Sequence, residues 1–305
     1  MPQLNKVITD DEFEITLHRA AETPSEKLVI TFGGQPSGIS QKGTGTDFAL
    51  SLEYDTIFVA QKHGTQYQGL SLAQFEDIVG PVARNWDDVI CYGCSLGGYA
   101  ALYFGGILNA RIIAAAPMLP AWKRLAIPSY ADLSVRHIAL KYTPLSSHNP
   151  VVIFDPMIAR DQLLIDEMVL PAYPDARQVR VPYAGHTVHV ALSQAKLLDP
   201  ILQTFIDDDV VLDFDPPAEG TATWHGERGC HLISSDPRLA RIELEKSLAI
   251  EPSRRIFNQL IQCLVDLGEL GTAQDLLDFA RKKPNKHSEL FPPRRIKLLK
   301  AGLVV

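Results

Sequence analysis

No stretch limits the fold of this chain as sharply as Asp88 to Ala101. Val89-Ile90-Cys91 is an apolar, β-prone run. Gly93-Cys94-Ser95-Leu96-Gly97 follows as a G-x-S-x-G turn, and Gly98, Ala100 and Ala101 open a helix whose small residues allow close packing on a sheet. Strand, turn and helix in this form make a nucleophile elbow, which raises a serine hydroxyl above the sheet edge. The turn brings strand and helix so near that Cβ atoms two positions either side of Ser95 would collide, so glycine is what fits at 93 and 97.

The surrounding sequence supplies a sheet for that elbow. Leu28 to Phe32, Thr56 to Ala60, Val89 to Cys91, Ile112 to Ala116, Val151 to Phe154 and Gln178 to Val181 read as successive buried strands. Val7 to Leu17 reads as an earlier strand or strand pair at the edge. Leu72 to Trp86, Tyr99 to Leu108, Gln162 to Leu170 and Thr187 to Phe205 read as helices. Continuously apolar strands alternating with helices predict a mostly parallel α/β sheet covered on both faces. Trp122 to Asn149 breaks the rhythm with prolines and is expected to be a lid or irregular excursion near the site.

A serine hydroxyl is a weak nucleophile and needs a base, with a third group to orient that base. Ser95 is the predicted nucleophile. Arg180 to His186 reads as strand, loop and a histidine opening a helix, which makes His186 the predicted base ahead of His189. For the acid, Asp161 is favoured because its loop gives it reach. Asp155, at the strand end before Pro156, is the alternative; a purely structural role would make Asp161 a helix N-cap and Asp155 a turn residue. Oxyanion donors are expected from the N–H of Leu96 and from the loop Gly33-Gly34-Gln35, with Gln35 the leading candidate and Gly34 beside it. Gln61, His63, Tyr67 and Gln68 follow a strand ending at the same sheet edge, so Gln61, Tyr67 and Gln68 are candidate substrate-binding residues. Cys94 is expected to pack rather than react.

Composition narrows the rest. A net charge of −7 argues against a general nucleic-acid binder. No run of about 18 apolar residues exists, so no membrane span is expected. Met1 to Asp11 lacks a basic start followed by an apolar core, and Cys91, Cys94, Cys230 and Cys263 lack metal-ligand spacing. Reduced thiols in the cytoplasm are the simplest expectation. His225, Cys230 and His231 do not complete a metal site, and neither a metal nor an organic cofactor is expected.

Past about residue 206 the pattern changes. Asp207, Asp208, Asp209, Asp213 and Asp215 run into Pro216-Pro217 and Gly220, which reads as an acidic linker over 207–234 after a domain over 1–206. Residues 235–305 read as all-helical. Leu267-Gly268, Ala273, Phe279 and Pro284 resemble the tetratricopeptide pattern of paired helices. That segment carries 13 Lys and Arg against 9 Asp and Glu. The asymmetry favours docking on the acidic body of the protein or on a protein partner.

The elbow at Ser95, the Gly33-Gly34 loop, the acid-bearing loop and Gly185-His186 resemble the α/β-hydrolase superfamily over about residues 5 to 206. More narrowly, Val59-Ala60-Gln61-Lys62, Tyr67-Gln68, Tyr92 to Tyr103 and Phe154-Asp155-Pro156 resemble a bacterial group of hydrolase-fold proteins associated with surface polysaccharide or glycan modification. The resemblance implies a serine esterase or deacylase acting on a small-molecule or glycan acyl ester. An acyltransferase using the same residues and a non-catalytic scaffold docking a partner through its helical tail are the alternatives.

Overall fold

The computed structural model describes residues 4–21, 25–212, 218–282 and 284–305. They divide into two compact units. One holds the chain up to Arg180 with His186–His189 and Thr204–Val211. The other holds Val181–Gly185, Val190–Gln203 and Leu212–Val305.

The first unit is built on an eight-stranded sheet of order β1-β2-β4-β3-β5-β6-β7-β8. The strands are β1 (Leu4–Thr9), β2 (Phe13–His18), β3 (Lys27–Phe32), β4 (Asp55–Gln61), β5 (Asp88–Cys94), β6 (Arg111–Ala115), β7 (Val151–Phe154) and β8 (Arg177–Arg180). β2 pairs antiparallel with both β1 and β4, and every pairing from β4 to β8 is parallel. The expected edge segment over 7–17 is therefore a strand pair. Central strands bury both faces, as their unbroken apolar runs require: Leu28, Ile30, Phe32, Ile57, Val59 and Ile112 join one core, and Val29, Phe58 and Ile113, which alternate with them, are buried on the other face.

The helices of this unit follow local signals. After α1 (Thr46–Ser51), α2 (Leu72–Ala83) starts at a capping box in which Gln74 N–H donates to Ser71 Oγ at 3.2 Å and Ser71 N–H donates to Gln74 Oε1 at 3.0 Å. All ten residues of α3 (Leu96–Gly105) are buried. α4 (Ala159–Leu164) continues into a π turn over Ile165–Val169. From 116 to 150 there is no strand or α-helix, only short 3-10 turns at Lys123–Leu125, Pro128–Tyr130 and Leu140–Tyr142. The irregular excursion expected at 122–149 is present.

At the edge of the sheet opposite the elbow, Arg111 binds Asp88 through two hydrogen bonds, of 2.9 and 2.5 Å, and donates to the carbonyls of Phe205 and Ile206. Lys27 adds an ion pair to Asp88 at 3.2 Å. One buried guanidinium thus ties the starts of β5 and β6 to the chain at 205–206.

The second unit differs from the linker and boundary expected for it. The helix anticipated over 187–205 is two helices, α5 (Val188–Gln194) and α6 (Leu198–Asp208). Lys196 takes φ +60°, and Leu197 N–H returns to Leu192 O, so α5 ends in a left-handed cap. Residues 190–203 group with the later helices, not with the sheet. Within the expected linker 207–234, α7 (Ala222–Leu232) forms a helix capped by Thr221, whose Oγ1 accepts from Trp224 N–H at 3.2 Å. Residues 213–217, which include Asp213, Asp215 and Pro216-Pro217, lie outside the described residues.

Helix α8 (Pro237–Ile250), α9 (Arg254–Asp266), α10 (Leu270–Lys282) and α11 (Pro292–Lys300) complete this unit. Its core includes Ala240, Leu244, Ile261, Leu264, Ala273 and Leu298. A Cβ on Gly229 would stand 2.8 Å from Leu244 and 3.1 Å from the Ala240 carbonyl, so glycine is what lets α7 lie close on α8. The α7–α8 and α9–α10 pairs recur about 30 residues apart, the spacing of helical-repeat arrays. No helix among the described residues is long and apolar enough to cross a membrane.

Candidate active site

Ser95 lies between β5 and α3 at φ +56° and ψ −120°, a region that L-residues rarely occupy. Its backbone is fixed at both ends. Ser95 N–H donates to Ala115 O at 2.8 Å, and Ser95 O accepts from Tyr99 N–H at 3.1 Å and Met118 N–H at 2.9 Å. A Cβ on Gly93 would strike the backbone of Gly97, and one on Gly97 would strike the carbonyl of Phe32. Both glycines therefore have the steric role inferred from the motif.

The strand ends bring two distant residues to this serine. Ser95 Oγ is 2.8 Å from His186 Nε2, and His186 Nδ1 is 2.9 and 3.1 Å from the two oxygens of Asp161. Such a chain assigns the Nδ1 proton to the carboxylate side and leaves Nε2 to accept from the serine hydroxyl. Asp161 sits in the first turn of α4, past the N-cap residue Ile158, so it is not the cap itself. Its side chain is fully buried; burial raises its carboxyl above the ordinary range, and the hydrogen bond from His186 pulls it back. Asp155 accepts from Met157 N–H at 2.8 Å at the end of β7, in the turn role open to it, and Asp161 is the acid that meets His186.

His189, three residues on, pairs elsewhere. Its Nδ1 lies 2.9 Å from the Cys94 thiol. Burial, with the charge of His186 beside it, pushes the His189 imidazole below its usual range, while burial pushes the Cys94 thiol up to about 12. A protonated thiol therefore donates to a neutral imidazole, and neither group competes with Ser95 or His186. No sequence signal pointed to this pair, because 95 residues separate its members.

The Gly33–Gln35 loop lies against the elbow: a Cβ on Gly34 would be 3.2 Å from the Cys94 carbonyl. Gly34 O accepts from Ser37 N–H at 3.1 Å and from the Ser37 hydroxyl. Leu96 is the first residue of α3, where a backbone N–H has no intrahelical acceptor. Tyr130, from the excursion, donates its hydroxyl to Gln35 Oε1 at 3.2 Å.

Gln61, Tyr67 and Gln68 do not line the site. All three are buried and bonded to the protein itself. Gln61 Oε1 accepts from Tyr67 N–H and Thr65 Oγ1, Gln68 Oε1 accepts from the N–H groups of Arg136 and His137, and the Tyr67 hydroxyl faces the carbonyls of Gly33 and Val59. They fasten the turn after β4 and the excursion. Strand-end position alone could not show this, because it does not tell which way a side chain turns.

The excursion forms two cavities, of about 320 and 350 Å³, that share Trp122. The first is walled by Tyr99, Leu119, His137 and Met168, the second by Ala121, Ile127, Tyr130 and Leu133. Their chain runs directly from Met118, whose N–H holds the Ser95 carbonyl. A roomier cavity of about 650 Å³ in the second unit, lined by Arg254, Leu277, Arg281 and Arg295, contains none of the residues above. His225, considered for metal, hydrogen-bonds Glu243 at 2.6 Å.

Strand order, the lone antiparallel β2 and an elbow after β5 define the architecture. This is an α/β-hydrolase fold. Among solved structures, the chain is similar to an acylaminoacyl peptidase of Pyrococcus horikoshii at 12% identity and TM-score 0.47, over 71% of this chain and 43% of the peptidase. It is similar to an esterase of Pyrobaculum calidifontis at 14% identity and TM-score 0.44, over 68% and 86% of the two chains. It is also similar to a glycosylation-associated protein complex (Gap123) of Streptococcus agalactiae at 16% identity and TM-score 0.47, over 67% and 47%. No family model matches the chain, and no curated protein sequence matches it.

Proposed function

We propose that this α/β-hydrolase-fold protein is a serine hydrolase that cleaves a carboxylic ester. The reading is carried by one observation, the unbroken hydrogen-bond chain from Ser95 through His186 to Asp161. Ser95 Oγ attacks the acyl carbon as His186 Nε2 takes its proton. Asp161 holds the imidazole tautomer and stabilises the imidazolium. The developing oxyanion is received by the N–H of Leu96 and by a second donor, Gln35 or Gly34, each donor being worth about 3 kcal/mol in the transition state. Collapse expels the alkoxide, which takes the proton from His186 and leaves an acyl-enzyme. His186 then deprotonates a water that releases the acid.

A carboxylate, imidazole and hydroxyl in line supply every proton transfer in this cycle. Acyl transfer to a sugar or other alcohol follows the same path to the acyl-enzyme and differs only in the acceptor.

The test is labelling with a fluorescent fluorophosphonate, read by mass spectrometry. Adduct at Ser95, absent in Ser95→Ala and strongly slowed in His186→Ala, is the expected result. Wild-type protein that resists a reagent labelling a control esterase overturns the proposal.

A further inference from the structure

Two successive glycines let the Gly33–Gln35 loop approach the elbow, and they also leave its peptides free to turn over. In a trans peptide the C=O and N–H point opposite ways, so a flip of the Gly33–Gly34 unit would replace a donor with an oxygen. An oxygen there would repel an oxyanion instead of receiving it.

Tyr67 opposes that flip. Its hydroxyl lies 2.9 Å from Gly33 O and 3.0 Å from Val59 O, and Gly33 N–H donates to the same Val59 carbonyl at 3.2 Å. The end of β4, the loop and the phenol thus form one closed set of bonds. With Gly33 O held towards Tyr67, the N–H of Gly34 must point the other way.

The backbone at Tyr67 is unusual. Tyr67 takes φ +61° and its neighbour Gln66 φ +52°, a left-handed region that non-glycine residues rarely adopt. Side-chain bonds hold this conformation in place: Gln61 Oε1 accepts from Tyr67 N–H at 3.1 Å, and Gln66 Oε1 accepts from Ala121 N–H at 2.7 Å. A residue needed only for bulk does not require two strained positions and a pair of buried glutamines to aim it.

We propose that Tyr67 is a positioning residue, whose hydroxyl fixes the Gly33–Gly34 peptide so that the loop offers N–H groups to the oxyanion at Ser95. This inference rests on the hydrolase reading above. Burial drives the phenol far above its usual range, so Tyr67 remains a donor throughout the working pH of an esterase.

Tyr67→Phe removes the hydroxyl and keeps the ring, which packs edge-on against Phe32 and Phe104 at 6.2 and 6.3 Å. Full-length wild type, Tyr67→Phe and Ser95→Ala are compared on p-nitrophenyl acetate between pH 6 and 9. Amide hydrogen exchange is followed in the peptide covering 30–37. We expect kcat in Tyr67→Phe to fall by about 10- to 100-fold with KM changed less than about twofold. The shape of the pH profile stays the same, and exchange quickens at 33–35 while β5 keeps its protection.

Wild-type kcat and wild-type exchange in Tyr67→Phe, against an active and Ser95-dependent wild type, overturn the positioning role alone. A loss of kcat that merely tracks the unfolded fraction in a thermal melt overturns it too. Wild-type turnover no greater than that of Ser95→Ala overturns the hydrolase reading itself, and the catalytic meaning of Tyr67 with it.

Discussion

Both carboxylate oxygens of Asp161 are within hydrogen-bond reach of one nitrogen of His186, at 2.9 and 3.1 Å. The second nitrogen of the ring faces Ser95 Oγ. Asp161 is thus placed to set the ring's tautomer and rotation together, with no water between.

Asp161→Asn separates activity from stability. An amide can donate to Nδ1 and so favour the wrong tautomer, and turnover should fall by roughly 10³- to 10⁴-fold. Because burial raises the Asp161 carboxyl, the folded state binds its proton more tightly than the unfolded chain does. That contribution is present at pH below the unfolded carboxyl range and is lost as pH rises through the folded pKa. The Tm of Asp161→Asn at pH 8 should therefore equal or exceed that of wild type, with the margin closing towards pH 4. Thermal melts at the two pH values, paired with ester assays, check this. A variant with wild-type turnover removes Asp161 from the mechanism.

Thiol reactivity should follow burial. With its thiol pushed up to about 12 and bonded to His189, Cys94 should resist iodoacetamide at pH 8 in the native protein. Cys230 is half-buried, with its thiol pushed up to about 11, and should react first and slowly. Peptide mapping after timed alkylation reads both. Rapid native alkylation of Cys94 would contradict the packing role assigned to it.

Alanine at Gly97 of the elbow and at Gly34 of the neighbouring loop should give different failures. In Gly97→Ala the new methyl meets the Phe32 carbonyl, backbone against backbone, so the elbow cannot close and stability should fall by about 3 kcal/mol or more. In Gly34→Ala the contact is 3.2 Å to the Cys94 carbonyl, which the loop can relieve by a small shift. That variant should fold and lose activity mainly in kcat. Urea denaturation combined with steady-state kinetics distinguishes the two.

Arg111→Ala leaves Asp88 with Lys27 as its remaining cation and takes away the guanidinium that donates to the Phe205 and Ile206 carbonyls. Asp88 is about a third open to water, so solvent compensates part of the loss, and a destabilisation of about 2–3 kcal/mol is expected. Burial alone would raise the Asp88 carboxyl, but Arg111 and Lys27 hold it below the usual range. A depressed carboxyl stabilises the fold above its unfolded pKa, and this is lost as pH falls through the folded value. The stability gap between wild type and variant should therefore narrow in acid, which urea titrations at pH 7 and pH 3 can measure.

The local and the repetitive were legible in the sequence. Gly93, Ser95 and Gly97 act within five residues, so chain proximity alone dictated the elbow and its glycines. Continuous apolar runs marked β3 to β7 because a strand buried on both faces has no polar alternation to hide it. Where a helix stops was less legible: Lys196 closes α5 by a left-handed turn that no composition signal marks, and α7 lay hidden behind an acidic, proline-rich stretch.

Tertiary structure decided what long-range closure alone can decide. Asp161 and Asp155 both sit near the end of β7, and only the fold brings Asp161 to His186. Gln61, Tyr67 and Gln68 lie at the expected sheet edge, yet their side chains turn inward because buried backbone groups there need partners. A sequence fixes which groups a chain carries and the local turns they favour. Which way each group faces is set by the hydrogen bonds and packing of residues tens of positions away.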